Sequence, residues 1–267
     1  MTKIAVIGGG RIGEALLAGL LEAGRAGQDL VAVEMMSARA EFLRERLGIR
    51  VTDSVAEAAA GSDLVVIAVK PSDVDAVLTE LSKAELDDRE RVLVSLAAGI
   101  TLARLEAKLP AGFPVVRVMP NTPMLVGQGM SAIAPGRHAN AVQLEQVARM
   151  LDAVGKVVMV AESQMDAVTA VSGSGPAYFF LVVEAMVEAG VGLGLSRDVA
   201  TQLVVQTMLG SAALLEDSGQ DAAELRAAVT SPAGTTAAAV RVLERGGVRS
   251  AFIEGLHAAK DRSAELA

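Results

Sequence analysis

The chain has 267 residues, 52% of them hydrophobic and 21% charged, which suits one large core or two medium ones and excludes disorder. A net charge of -8 and an aromatic content of 2% argue against a phosphate-backbone surface or stacking platforms for single-stranded nucleic acid. With no Cys and two separated His, His138 and His257, disulfides and thiolate catalysis are excluded and no metal site is expected.

From the N-terminus, residues 2–7 predict a short buried strand, followed by Gly8-Gly9-Gly10-Arg11-Ile12-Gly13 and an Ala/Leu-rich helix to about Gly24. Arg11 interrupts the apolar start, so no signal peptide is expected and the expected compartment is cytoplasmic. A second strand is predicted at 29–34 and a second helix at 38–47. Residues 63–69 form an apolar run without alternation, as expected of a parallel strand covered by helices on both faces. Residues 91–95 and 114–119 repeat that pattern, and 129–134, a helix from about 140, and 156–160 complete the sheet. The β/α alternation gives the fold class: α/β, a Rossmann-like doubly wound sheet over 1–161.

After residue 160 the pattern becomes helical, with stretches at 177–190, 197–216, 221–229, 234–245 and 250–262. Glu184 and Glu188 break the most apolar of them, so no membrane span is expected. The segment 203–215 is apolar nearly all round, in a domain of only about 100 residues (162–267). Such a helix needs burial on every side, which implies an all-helical dimerisation domain and a homodimer.

The strongest local motif is Gly8-x-Gly10-x-x-Gly13 between strand and helix, with Glu34 ending the next strand. Gly8 permits the turn, Gly10 admits a pyrophosphate, and Gly13 lets helix and strand approach. Glu34 suits the ribose hydroxyls of NAD, while the nearby Arg39 leaves NADP open. Ala68-Val69-Lys70-Pro71 and Ser95-Leu96-Ala97-Ala98-Gly99 end two further strands at the carboxyl edge, where open α/β sheets bind ligands. In Arg117-Val-Met-Pro-Asn-Thr-Pro123, Asn121 or Thr122 can hold a carboxamide or a water; a rigid turn explains the segment equally well.

Two Gly/Ser islands interrupt the helical half, Ser172-Gly-Ser-Gly-Pro-Ala-Tyr178 and Thr230-Ser-Pro-Ala-Gly-Thr-Thr236. Each suggests close backbone approach or an anion pocket at a helix start, with plain helix capping as the alternative. Of the six lysines only Lys260 lies beyond residue 156, outside both islands, and neither His is well placed. A base for alcohol oxidation is therefore missing, whereas C=N reduction needs mainly alignment and anion anchoring.

Together these segments resemble the pyrroline-5-carboxylate reductase family over essentially the whole chain. The resemblance rests on Ile7 to Gly13, Ala68 to Pro71, Ser95 to Gly99, Arg117 to Pro123, Ser172 to Tyr178 and Val229 to Thr236. It implies reduction of L-1-pyrroline-5-carboxylate to L-proline with NADPH or NADH. It also implies an interleaved homodimer, in the family often stacked into a decamer of five dimers, and an active site between the cofactor domain of one chain and the helical domain of the other. By similarity, Thr236 meets the substrate ring nitrogen, while Ser231 and the backbone of Ala233, Gly234, Thr235 and Thr236 hold its carboxylate. Ile7, Gly8, Gly9, Gly10, Arg11, Ile12, Gly13, Glu34, Ala68, Val69, Lys70, Pro71, Leu96, Ala97, Ala98 and Asn121 line the cofactor side.

Three departures from the family's pattern stand out. Arg11-Ile12 stands where Asn-Met or Gln-Met is common, Ala228 where a polar residue is common, and Ala233 replaces the first glycine of Ser-Pro-Gly-Gly. Ala233 should still cap a helix unless that position needs a positive φ. A related two-domain imine or 3-hydroxyacid oxidoreductase and a non-catalytic dinucleotide-binding protein are the alternatives.

Overall fold

The computed structural model describes residues 2–84 and 91–266. Eight strands form one sheet: β1 (Ile4–Ile7), β2 (Leu30–Val33), β3 (Arg50–Thr52), β4 (Leu64–Ile67), β5 (Val92–Ser95), β6 (Val115–Met119), β7 (Gly129–Pro135) and β8 (Gly155–Met159). Their order is β3-β2-β1-β4-β5-β6-β7-β8. All neighbours are parallel except β6 and β7, which run antiparallel.

The non-alternating apolar strands are explained by packing on both faces. Ile4 and Val6 of β1 enter one core with α1 (Arg11–Glu22), α2 (Ser37–Leu47) and, further along the chain, the helix Ala141–Leu151; Ala5 and Ile7 enter a second core. That second core also holds residues of α3 (Val55–Ala60), α4 (Val74–Lys83) and α5 (Leu102–Glu106). The helix Ala141–Leu151, α6, starts at Asn140 with a full capping box to Gln143. β3 and α3 have no counterpart in the sequence expectation. β3 is three residues long with one buried side chain, and α3 is a six-residue helix capped by Ser54, so neither completes a second period of its pattern.

The helical segments are α7 (Met165–Val168), α8 (Gly175–Gly192), α9 (Arg197–Ser218), α10 (Ala222–Ala228), α11 (Thr235–Arg245) and α12 (Val248–Leu266). Compactness divides the chain into a sheet unit, running to Ser174 and resuming at Ala259, and a helical unit, Gly175–Ala258. The change in sequence pattern near residue 161 thus precedes the structural division. Met165 is buried in the second core, and Asp166 accepts a hydrogen bond from the buried Ser263 at 2.8 Å, which fastens both ends of the helical sequence to the sheet unit. Nearby, buried Arg117 donates to Glu162 at 3.2 Å.

Within the helical unit only Gly175, Val187 and Ala200 are buried among the described residues. Phe180 of α8 is 65% exposed, and Leu203, Leu209 and Leu214 of α9 are each more than half exposed. An apolar surface on this scale marks an interaction face. By length and composition alone, Glu162–Gly192 and Arg197–Ser218 are apolar enough to cross a membrane, a criterion that apolar helices of soluble proteins also meet.

Candidate active site

β1 lies between β2 and β4, so the strand order reverses beside it, and a crevice opens at the carboxyl ends of these strands. The turn after β1 is shaped by steric demands. Gly8 has φ +111°, and a Cβ there would lie 2.8 Å from the Ala68 carbonyl. Gly13 is buried, and a Cβ on it would press into the Gly8 carbonyl oxygen, so α1 lies directly on the turn. A Cβ on Gly9 would meet Leu43 at 2.5 Å and the Glu34 carboxylate at 2.9 Å.

Gly10 differs from all three: nothing lies within 4 Å of its Cβ direction. It is the N-cap of α1 with no side-chain cap, so the helix's first amides face the open space that a pyrophosphate would take. Arg11 is exposed at the first helical position, Ile12 packs on the core, and Ile7 is the buried end of β1. These residues fit a dinucleotide.

Glu34 is half-buried beside Gly9 and accepts the Met36 N–H at 2.9 Å. A groove of ≈ 310 Å³ beside it is lined by Ser37, Thr52 and a second carboxylate, Asp53. On the other side of β1, Ala68 and Val69 are half-buried and Lys70 is exposed before Pro71, the first residue of a short turn. Leu96 and Ala97 are buried and Ala98 is exposed. Pro71, Ala98 and Gly99 line a mostly apolar cleft of ≈ 320 Å³ together with Ser174, Arg262 and Leu266. The end of α12 had no signal in the sequence as a site element; its spacing identifies a helix but not its neighbours.

Asn121 acts as a brace. Its amide oxygen accepts the Met130 N–H at 2.8 Å, and its nitrogen donates to the Ser172 carbonyl at 3.2 Å. The Met-Pro-Asn-Thr-Pro turn and the first Gly/Ser island, separate motifs in the sequence, are thereby joined. That island is a close-approach element: Thr169–Gly173 is a π-helical turn leading into α8, and Met119 packs where a Cβ on Gly173 would go.

The second island is a helix start. Gly234 caps α11 without a side-chain bond, and Thr235 and Thr236 occupy its first two positions, Thr236 half-buried and Thr235 exposed. The first intrahelical bond shown is from Ala238 N–H to Gly234 O, so the amides of Thr235, Thr236 and Ala237 are free for an anion. The loop is closed by Gly234 N–H donating to Ser231 O at 3.0 Å, with the Ser231 side chain exposed beside it. Ala233 sits at φ +59°, the one described non-glycine residue in the left-handed region. The departure from glycine therefore falls where a Cβ is costly, by about 1–2 kcal/mol. Ala233→Gly is expected to stabilise the protein by roughly 0.5–1 kcal/mol after the added chain entropy, measurable by denaturant titration.

Residues 162–266 match the family model for pyrroline-5-carboxylate reductase dimerisation, and residues 3–99 that for NADP oxidoreductase, coenzyme F420-dependent. The first match spans both long apolar helices. A pyrroline-5-carboxylate reductase from Mycobacterium tuberculosis is 56% identical, over 100% of this chain and 97% of its own length. Among solved structures, the pyrroline-5-carboxylate reductase from Coxiella burnetii is similar with a TM-score of 0.95 at 36% identity, covering 100% of this chain and 98% of that one. That from Plasmodium falciparum, with NADP bound, gives 0.87 at 29% identity, covering 99% and 98%. With a glycine turn open at Gly10, an uncapped threonine-rich helix start and full-length identity of this order, the chain belongs to the pyrroline-5-carboxylate reductase family.

Proposed function

We propose that this chain reduces L-1-pyrroline-5-carboxylate to L-proline with NADH or NADPH, the final step of proline biosynthesis. The observation that carries this reading is the uncapped start of α11, where free amides and two threonines offer a carboxylate site in a chain that also carries a dinucleotide turn. A bound dihydronicotinamide supplies the hydride for the imine carbon. The free amides of α11 and the Ser231 hydroxyl hold the substrate carboxylate, and Thr236 bonds the ring nitrogen, which takes its proton from solvent. The crevice at Gly8 to Gly13, with Ala68 to Pro71 and Leu96 to Ala98, receives the cofactor, and Glu34 accepts its ribose hydroxyls and favours NADH. Asn121 shapes this wall through its two hydrogen bonds.

The decisive assay compares this imine with a panel of 2-keto and 3-hydroxy acids. Turnover of a hydroxy acid at comparable kcat/KM, without imine reduction, would transfer the chain to the related 3-hydroxyacid oxidoreductases. Proline oxidation should be slow near neutrality, because the protonated amine has no lone pair to help expel hydride.

The dimerisation match and the exposed apolar helices support a homodimer, which we place in the cytoplasm. Sedimentation equilibrium at low micromolar concentration is expected to give a dimer or a multiple of it, up to a decamer of five dimers. A monomer would leave the α8 and α9 surfaces unexplained.

A further inference from the structure

Two opposite charges bracket Gly9. The Glu34 carboxylate lies on one side, and on the other the Arg39 Nε donates to the Gly9 carbonyl oxygen at 2.7 Å. In dinucleotide folds a carboxylate here selects the ribose hydroxyl, and an arginine accommodates a 2'-phosphate. This chain has both, but its arginine is engaged within the protein. A terminal nitrogen of Arg39 pairs with Glu14, in the first turn of α1, and its guanidinium lies 4.9 Å from the centre of the Phe42 ring. Glu14 is largely buried, with 16% side-chain exposure, and its other oxygen takes Arg46 at 3.0 Å. Arg44, the remaining arginine of α2, donates to the Val51 carbonyl at 3.1 Å and to Glu41 at 3.0 Å. Every arginine of α2 is thus held by a carbonyl or carboxylate, while Glu34 forms no ion pair among the described residues.

The geometry points to Glu14 as a positioning residue for cofactor choice: by holding Arg39 against the Gly9 carbonyl, it withholds the cation that a 2'-phosphate needs and leaves Glu34 to select the unphosphorylated ribose. Glu14 itself touches no cofactor. A neutral residue there lets the Arg39 side chain turn outward, because its bond to the Gly9 carbonyl is weaker than an ion pair with a phosphate. The inference rests on the cofactor site proposed above.

The test is direct titration of wild-type and variant protein with NADH and with NADPH, following the dihydronicotinamide fluorescence. Glu14→Gln is expected to lower the ratio of Kd for NADPH to Kd for NADH roughly tenfold, the value of one charge-assisted contact, with NADH binding within about twofold of wild type. The gain should vanish in Glu14→Gln/Arg39→Met. Arg39→Met alone supplies a second arm should the glutamine variant fold poorly. It should leave the ratio unchanged even if it weakens both nucleotides, since the native arginine is already withheld. A ratio unmoved in Glu14→Gln, or a selective loss of NADPH binding in Arg39→Met, overturns the role of Glu14 alone. Wild-type protein that binds neither nucleotide overturns the cofactor site and this role together.

Discussion

Gly10→Val is expected to fold like the parent and to lose dinucleotide binding by at least about 100-fold, whereas Gly13→Ala, the smaller change, is expected to damage the fold itself. The difference follows from where each new carbon would go. At position 10 the backbone is extended, with φ -68° and ψ -173°, and nothing lies within 4 Å. A valine costs the protein only the loss of a favourable N-cap residue, about 1 kcal/mol at most, but it fills the space in front of the α1 amides. At position 13 a methyl group meets the carbonyl oxygen of Gly8, a residue held in place by its own N–H bond to the Val33 carbonyl at the end of β2. Relief requires α1 to move off β1, and Leu16, Leu17 and Leu20 of that helix are all buried in the first core. An overpacking cost of roughly 3 kcal/mol should lower Tm by about 6–12 °C in a unit of this size. Circular dichroism melts with nucleotide titrations separate the two outcomes. Full NADH binding by Gly10→Val would remove the glycine turn from the cofactor site.

Thr236→Ala is expected to lower kcat/KM for the imine by roughly 5- to 150-fold, equivalent to about 1–3 kcal/mol for a hydrogen bond to a reacting group. NADH affinity and assembly should stay as they are. In a five-membered imine the ring nitrogen is one bond from the carbon bearing the carboxylate, so one hydroxyl beside the proposed anion site could reach it. The contact strengthens as the nitrogen gains amine character, so part of its value lies in the transition state. Thr235→Ala serves as the control. It also stands in the first turn of α11 but is exposed where Thr236 is half-buried, and its hydroxyl caps nothing. Equal kinetic losses for the two variants, or equal losses of stability with no kinetic change, would take Thr236 out of the site.

The sheet was legible because its strands are apolar without alternation and its glycines follow β1 directly. Seven of the eight strands are expected from the sequence, three of them on this apolar pattern, and β3 is not, since a three-residue edge strand with one buried side chain is too short to show a repeat. The glycine turn, Glu34 and the second island could be placed from spacing alone, because each sits at the end of a strand or the start of a helix. Contacts between distant segments could not. The Asn121 bonds to Met130 and Ser172, the Glu14 hold on Arg39 and the closing of the cleft by Leu266 depend on which chain stretches meet. Ala233 shows the intermediate case: its departure from glycine was visible, but its cost depended on a backbone angle.

The discontinuity of the sheet unit has a consequence for the order in which the molecule is made. Its strands are all synthesised before Ser174, yet Ser263 and Leu266, which fasten and wall the cleft beside Gly99, come only after the whole helical unit. At translation rates of roughly 5–20 residues per second, a nascent chain therefore spends several seconds with its sheet assembled and one wall of its cleft still absent. Ribosome-stalled chains ending before residue 259 should then resist proteolysis across β1 to β6 while leaving the Asp166 segment open to cleavage, and release of the last helix should close it.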